Sequence, residues 1–170
     1  MKILITGGGG FIGSHLVEHY QNRAEIIVLD NLRTGHRRNL DGLQCRFVEG
    51  SILDQKLLGQ LLEGVDYVFH LAALVSVPES MERLNETIEI NVRGFLNVLE
   101  AARKAKVKKL VFASSAAVYG EDPAPFKLES QTPDPQSPYA ITKLDGEYYC
   151  KLFTRENGLS TASLRFFNVF

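Results

Sequence analysis

Gly7-Gly8-Gly9-Gly10-Phe11-Ile12-Gly13 follows directly on the apolar run Lys2 to Thr6, with Ile3-Leu4-Ile5 at its centre, and leads into residues 14–20, Ser-His-Leu-Val-Glu-His-Tyr, which have helical composition. A strand that hands over to a helix through glycines is the layout of a dinucleotide-binding turn. Missing side chains permit the tight turn, let backbone N–H groups approach a pyrophosphate, and bring the first helix close to its strand with its N-terminus toward the anion. Two registers satisfy the spacing: Gly7, Gly10 and Gly13, or Gly8, Gly10 and Gly13. Asp30 ends the second strand-like run, Ile26-Ile27-Val28-Leu29, about 20 residues beyond the glycines, where a carboxylate accepts the adenosine-ribose hydroxyls and repels a 2′-phosphate. This reads as NAD. Arg33, Arg37 and Arg38 follow closely and keep NADP as the alternative.

Strand-like runs recur at 2–6, 25–29, 45–49, 66–71, 109–114 and 161–166, and helical pattern or composition fills 14–22, 54–63, 87–105 and 138–156. Alternation of this kind predicts an α/β, Rossmann-type doubly wound parallel sheet with right-handed crossovers. Near-continuous apolar strands require helices on both faces. Residues 121–138 hold five of the six prolines and read as a loop across the front of the site. There is no internal repeat beyond the alternation.

The chain has 170 residues, 45% of them hydrophobic, enough for one domain with a substantial core. A net charge of −1 argues against a nucleic-acid or anionic-membrane surface. The apolar runs are far shorter than a membrane span and no charged leader precedes the first strand, so the expected location is the cytoplasm. Cys45 and Cys150 are the only cysteines and no Cys/His cluster has metal-ligand spacing; reduced, structural thiols and no metal are expected.

Ligands of an open parallel sheet lie at the C-terminal strand ends. The fourth run ends His70-Leu71-Ala72-Ala73, whose small apolar residues suit the wall of a ribose or nicotinamide site, with His70 read as a core histidine. The fifth ends Ala113-Ser114-Ser115-Ala116-Ala117-Val118-Tyr119-Gly120 and brings hydroxyls to the same edge. Ser137-Pro138 is a helix start that sets Tyr139 and Lys143 four apart on one face. A phenol with a pKa near 10 is a poor base, and an adjacent ammonium together with a positive nicotinamide ring is expected to lower it.

With Leu29-Asp30-Asn31-Leu32, Asn91-Val92-Arg93-Gly94 and Leu164-Arg165-Phe166-Phe167-Asn168 added to these motifs, the whole chain resembles the extended short-chain dehydrogenase/reductase superfamily, and within it the nucleotide-sugar epimerases of the UDP-glucose 4-epimerase type. The resemblance implies that Tyr139 is the catalytic base and acid, Lys143 binds the nicotinamide ribose and tunes it, and Ser115 bonds the reacting sugar oxygen. It implies a cofactor site of Gly7, Gly10, Phe11, Ile12, Gly13, Asp30, Asn31, Ser51, Ile52, Leu71, Ala72, Ala73, Asn91, Ser114, Tyr139 and Lys143, and a substrate contact from Asn168. Hydride passes from sugar C4 to NAD, and the 4-keto sugar rotates and takes it back on its other face. Ala116 and Ala117 stand where the related dehydratases carry Asp-Glu, so dehydration is disfavoured. A 4-keto reductase is the near alternative and a non-catalytic NAD-binding module the distant one.

The chain departs from the family at Ser51, where many epimerases have Asp near the adenine, and at Val75, where a familiar bacterial form has Lys. The family also runs to roughly twice this length, with a C-terminal portion that binds the UDP-sugar. Residues 1–170 are therefore expected to be the NAD-binding domain of a truncated epimerase, without the sugar-binding portion, that binds NAD but turns over little sugar by itself. A homodimer through helices 87–105 and 138–156 is implied.

Overall fold

The computed structural model describes residues 1–121 and 126–170. Six strands, β1 (Lys2–Thr6), β2 (Glu25–Asp30), β3 (Arg46–Glu49), β4 (Tyr67–His70), β5 (Lys109–Ser115) and β6 (Thr161–Phe166), form one sheet of order β3-β2-β1-β4-β5-β6. Every pairing is parallel, as between Leu4 and Ile27 or Leu4 and Val68. This is the doubly wound order, which reverses direction between β1 and β4 and opens a crevice there.

Alternation along β1 divides the core. Ile3 and Ile5 join Ile26, Val28, Val17 and Leu40 on one face, while Leu4 joins Ile27, Leu29, Val68, Leu110 and Phe112 on the other. Each such side chain contributes about 1.5–3 kcal/mol through burial. The first face is covered by helix α1 (Phe11–Tyr20), and the second by α2 (Gln55–Leu61), α5 (Phe95–Lys104) and α6 (Pro138–Asn157).

The predicted helix 87–105 is three pieces. Helix α4 (Leu84–Ile88) passes through a π-helical turn, Glu89–Gly94, into α5, and the short α3 (Val77–Glu82) precedes them. Ser76 caps α3, with Pro78 in its first turn. Ser137 caps α6 by accepting the Ala140 N–H at 3.1 Å, and Gly158 ends it in the left-handed region at φ 70°. The expected loop at 121–138 is irregular over its described residues up to Ser137, Pro138 already belonging to α6; 122–125 lie outside the described residues. Both cysteines are free, and burial pushes the Cys150 thiol up to about 11. Among the described residues no helix is long and apolar enough to cross a membrane.

Candidate active site

A cleft of about 760 Å³ opens along the C-terminal strand ends and is lined from Asp30 at one end to Lys143 at the other. The glycine turn forms its floor. Gly7 has φ +74°, donates its N–H to the Leu29 carbonyl at 2.8 Å, and accepts the Gly10 N–H at 3.2 Å. A Cβ on Gly13 would lie 2.4 Å from the Gly7 oxygen, so strand and helix touch only because both residues lack side chains. Gly8 lies off the cleft wall, where an added Cβ would stand 2.6 Å from Val28, so the glycines that face the cleft are Gly7, Gly10 and Gly13. No side chain caps α1, and Phe11, Ile12 and Gly13 bring its first turn to the cleft wall, a placement suited to an anion.

Asp30 is buried, its two oxygens accepting the Gly9 N–H at 2.9 Å and the Leu32 N–H at 2.8 Å. Each oxygen retains accepting capacity, and Asp30 lines the cleft. Leu32 holds φ 57°, a left-handed conformation that a branched side chain rarely adopts and that the Asp30 bond helps to impose. Asn31, Ser51 and Ile52 line the same end. Gly9 ties this loop down: its carbonyl accepts the His36 N–H at 2.9 Å and the Asn39 amide at 2.8 Å. Of the loop arginines, Arg37 stacks on Phe47, while Arg33 reaches across to Glu79 and Glu86.

At the opposite end, Tyr139 and Lys143 from α6 face Ser114 and Ser115 at the end of β5, beside Leu71, Ala72 and Ala73. Ser115 accepts the Ala117 N–H at 3.1 Å, and its hydroxyl lies beside Tyr139 in the cleft wall. Burial raises the Tyr139 pKa above its ordinary value, and the neighbouring Ser115 hydroxyl offsets only part of that. The expected lowering by Lys143 is absent in this arrangement. The Lys143 ammonium donates to the Ala113 carbonyl at 2.7 Å, lies 5.7 Å from the Tyr139 ring centre, and is itself brought down to about 8 by burial. His70 is a core residue, as expected. It bonds Thr6 Oγ1 at 2.8 Å and stacks on Phe95, and burial, followed by the Lys143 charge, lowers its pKa to about 3.

Of the positions that the resemblance assigns to cofactor, catalysis or substrate, all line the cleft except Asn91; Gly8, Arg37 and Arg38, named as alternatives, also lie off it. Asn91 sits buried in the π-helical turn, accepting the Leu74 N–H at 2.7 Å and donating to the Leu74 carbonyl at 3.0 Å and to Thr142 Oγ1 at 3.1 Å. Both amide hydrogens are used. Asn91 therefore fixes the loop after β4 against α6 and has no donor left for a cofactor. Ser114 lines the cleft, but its hydroxyl is committed to Glu147 at 2.6 Å.

Sequence reasoning missed that Glu147, which also grips Arg165 through bonds of 2.8 Å to Nε and 2.8 Å to Nη2. It also missed Ser80, which bonds the Tyr139 backbone. An acid four residues beyond Lys143 on the same helix was the available signal for the first, and nothing local marked the second.

A glycine cradle that any Cβ would fill, an uncapped helix terminus and a buried acid at the far end fit a dinucleotide. Residues 3–170 match the NAD dependent epimerase/dehydratase family. A UDP-glucose 4-epimerase of Lactobacillus helveticus is 40% identical over 173 residues, covering 99% of this chain and 52% of that protein. The Thermotoga maritima UDP-glucose 4-epimerase, solved with UDP-glucose, has a TM-score of 0.94 at 41% identity, covering 100% of this chain and 56% of that one. The Thermus thermophilus UDP-glucose 4-epimerase in complex with NAD has a TM-score of 0.90 at 41% identity, covering 97% and 54%. The chain thus spans about half the length of the relatives it matches. The matched family and the doubly wound sheet agree with the resemblance drawn from the motifs, and the chain belongs to the NAD dependent epimerase/dehydratase family.

Proposed function

We propose that this chain is the NAD-binding and proton-transferring domain of a nucleotide-sugar 4-epimerase of the UDP-glucose/UDP-galactose type, completed by a UDP-sugar-binding portion. The observation that carries this reading is the convergence of Ser115 and Tyr139 on the wall of the glycine-floored cleft, with Lys143 buried behind them. Asp30 would hold the adenosine ribose, the first turn of α1 the pyrophosphate, and Lys143 the nicotinamide ribose. NAD, when bound, supplies the acceptor and donor of hydride for sugar C4.

The chain's own residues handle the proton. Ser115 orients the 4-hydroxyl, and Tyr139 takes its proton as C4 is oxidised. The same phenol returns that proton to the same oxygen when the rotated sugar is reduced. A raised phenol pKa means that Tyr139 keeps its proton in the empty cleft, so the positive charge of the bound cofactor and of Lys143 is what would draw it off. With a pKa near 8, Lys143 is mostly charged at neutral pH and can play that part. Ala116 and Ala117 offer no acid or base for an elimination.

Self-association extends the same reading. Leu84 and Ile88 on α4, and Ile141, Tyr148 and Leu152 on α6, are exposed at helical spacing on two helices that pack together. This face suits a second copy of the chain. Sedimentation equilibrium should give a dimer that Ile141→Glu/Leu152→Glu dissociates; a wild-type monomer refutes the pairing.

For the main reading, nucleotide content is read by native mass spectrometry and acid release, and conversion of UDP-galactose is followed by NMR, in wild type and Tyr139→Phe. One NAD per chain in both proteins is expected, with any slow conversion lost in Tyr139→Phe. Failure to hold or take up NAD overturns the proposal. Fast conversion by the wild type would place the sugar site within residues 1–170.

A further inference from the structure

Arg33 is three residues beyond Asp30, lines the adenosine end of the cleft, and carries the planar guanidinium that suits a phosphate. It is not left available. Its Nη2 donates to Glu79 Oε1 at 2.6 Å, and its Nη1 donates to Glu86 Oε1. Those carboxylates stand on α3 and α4, 46 and 53 residues further along the chain. Arg83 approaches the same two acids, at 3.7 Å from Glu79 and 3.3 Å from Glu86. The Arg33 backbone N–H is also turned inward, to Asn31 Oδ1 at 3.2 Å.

Resting on the dinucleotide reading, we propose that Glu79 and Glu86 are specificity-determining residues: by sequestering Arg33 they deny the cleft a cation for a 2′-phosphate and fix its preference for NAD over NADP. Asp30 supplies one barrier, repulsion at the ribose. The acid pair supplies another, because a 2′-phosphate would have to displace two carboxylates from the guanidinium and then sit beside both. The side chains are only partly buried, at 27% exposure for Arg33, 30% for Glu79 and 40% for Glu86, so the contacts can exchange and the cation can be released by substitution.

The test is equilibrium binding of NADH and NADPH, read by reduced-nicotinamide fluorescence. Wild type, Glu79→Gln/Glu86→Gln and Arg33→Gln/Glu79→Gln/Glu86→Gln are compared, each also with Asp30→Ser, where the Asp30 charge no longer opposes the phosphate. Neutralising the two acids should raise the NADPH-to-NADH affinity ratio about tenfold, the size of one charge-assisted hydrogen bond. Adding Arg33→Gln should abolish the gain. An unchanged ratio with NADH binding intact overturns the proposal and leaves the dinucleotide reading standing. A gain that survives Arg33→Gln overturns it too, assigning the effect to Arg83 or to general charge. Absence of NADH and NADPH binding in the wild type overturns both readings.

Discussion

Ser80 Oγ, wholly buried, accepts the backbone N–H of Tyr139 at 3.2 Å while donating to the Val77 carbonyl at 2.7 Å. Pro138 opens α6 without an N–H, so Tyr139 carries the first of the donors that a helix start leaves unpaired. The tyrosine is therefore held from α3 as well as by its own helix. Ser80→Ala should cost about 1–3 kcal/mol, the penalty for orphaning a buried donor. Urea denaturation measures the loss, and hydrogen exchange locates it: the Tyr139 amide should exchange faster relative to Ala140, which keeps its Ser137 cap. Unchanged protection at Tyr139 would show that the contact holds nothing.

Glu147 and Arg165 form the other internal brace. Burial alone would raise the Glu147 pKa, but bonds from Arg165 and Ser114 outweigh it and hold the carboxyl below its usual range. Because Ser114 is next to last in β5 and pairs with Arg165 in β6, one carboxylate on α6 fastens two strand ends. Glu147→Leu leaves the largely buried Arg165 guanidinium with only the Tyr119 ring beside it and should cost about 3 kcal/mol, the low end for breaking a buried pair. The double variant Glu147→Leu/Arg165→Met should be less destabilised than the sum of the single variants, by denaturation midpoints at a common slope. Strict additivity would mean that the two side chains do not depend on each other.

These braces mark the boundary of what the sequence makes legible. The strand–helix alternation, the glycine cradle, Asp30 at the end of its strand-like run and the Tyr139–Lys143 pair are local patterns, governed by periodicity or by short motif spacing. Asn91 was legible as a site residue but not in its role, because a π-helical turn rotates it away from an ordinary helix register and into Leu74 and Thr142. Ser80, Glu147 and the Arg33 clasp connect residues separated by 59, 18 and 46 positions, distances at which no periodicity operates. The rise in the Tyr139 pKa was not legible because burial is a property of the folded cleft, and the neighbouring ammonium that was expected to act with the nicotinamide ring is already bonded to Ala113.

Gly13 and Gly59 allow a paired test of the cradle. Both lie in helices, but a Cβ at Gly13 would stand 2.4 Å from the Gly7 oxygen, whereas one at Gly59 meets nothing within 4 Å. Gly59→Ala should stabilise the chain by about 0.5–1 kcal/mol through helix propensity. Gly13→Ala should destabilise it by about 1–3 kcal/mol, the range for overpacking, and weaken NADH binding at least tenfold. Calorimetric unfolding and fluorescence titration check both. Equal effects from the two alanines would show that the turn is not close-packed.

His70 sets the acid limit of the fold. Its Nδ1 is bonded to Thr6, its ring stacks on Phe95 at 4.7 Å, and Phe95 stacks on Phe112 at 4.3 Å. A cation there would be desolvated and would face Lys143, which is why the folded pKa is about 3 against 6.5 in the unfolded chain. Between those values the unfolded state binds more protons, so acid favours unfolding. The contribution is fully present above pH 6.5 and is lost progressively as pH falls toward 3, with a slope approaching 1.4 kcal/mol per pH unit. His70→Phe continues the aromatic stack and cannot titrate. It should lose some stability at every pH through the lost bond to the Thr6 hydroxyl, which keeps only the Ala72 N–H, yet show a shallower decline between pH 6 and 4, as measured by urea unfolding at each pH. Parallel curves for the two proteins would place the acid sensitivity in the carboxylates instead.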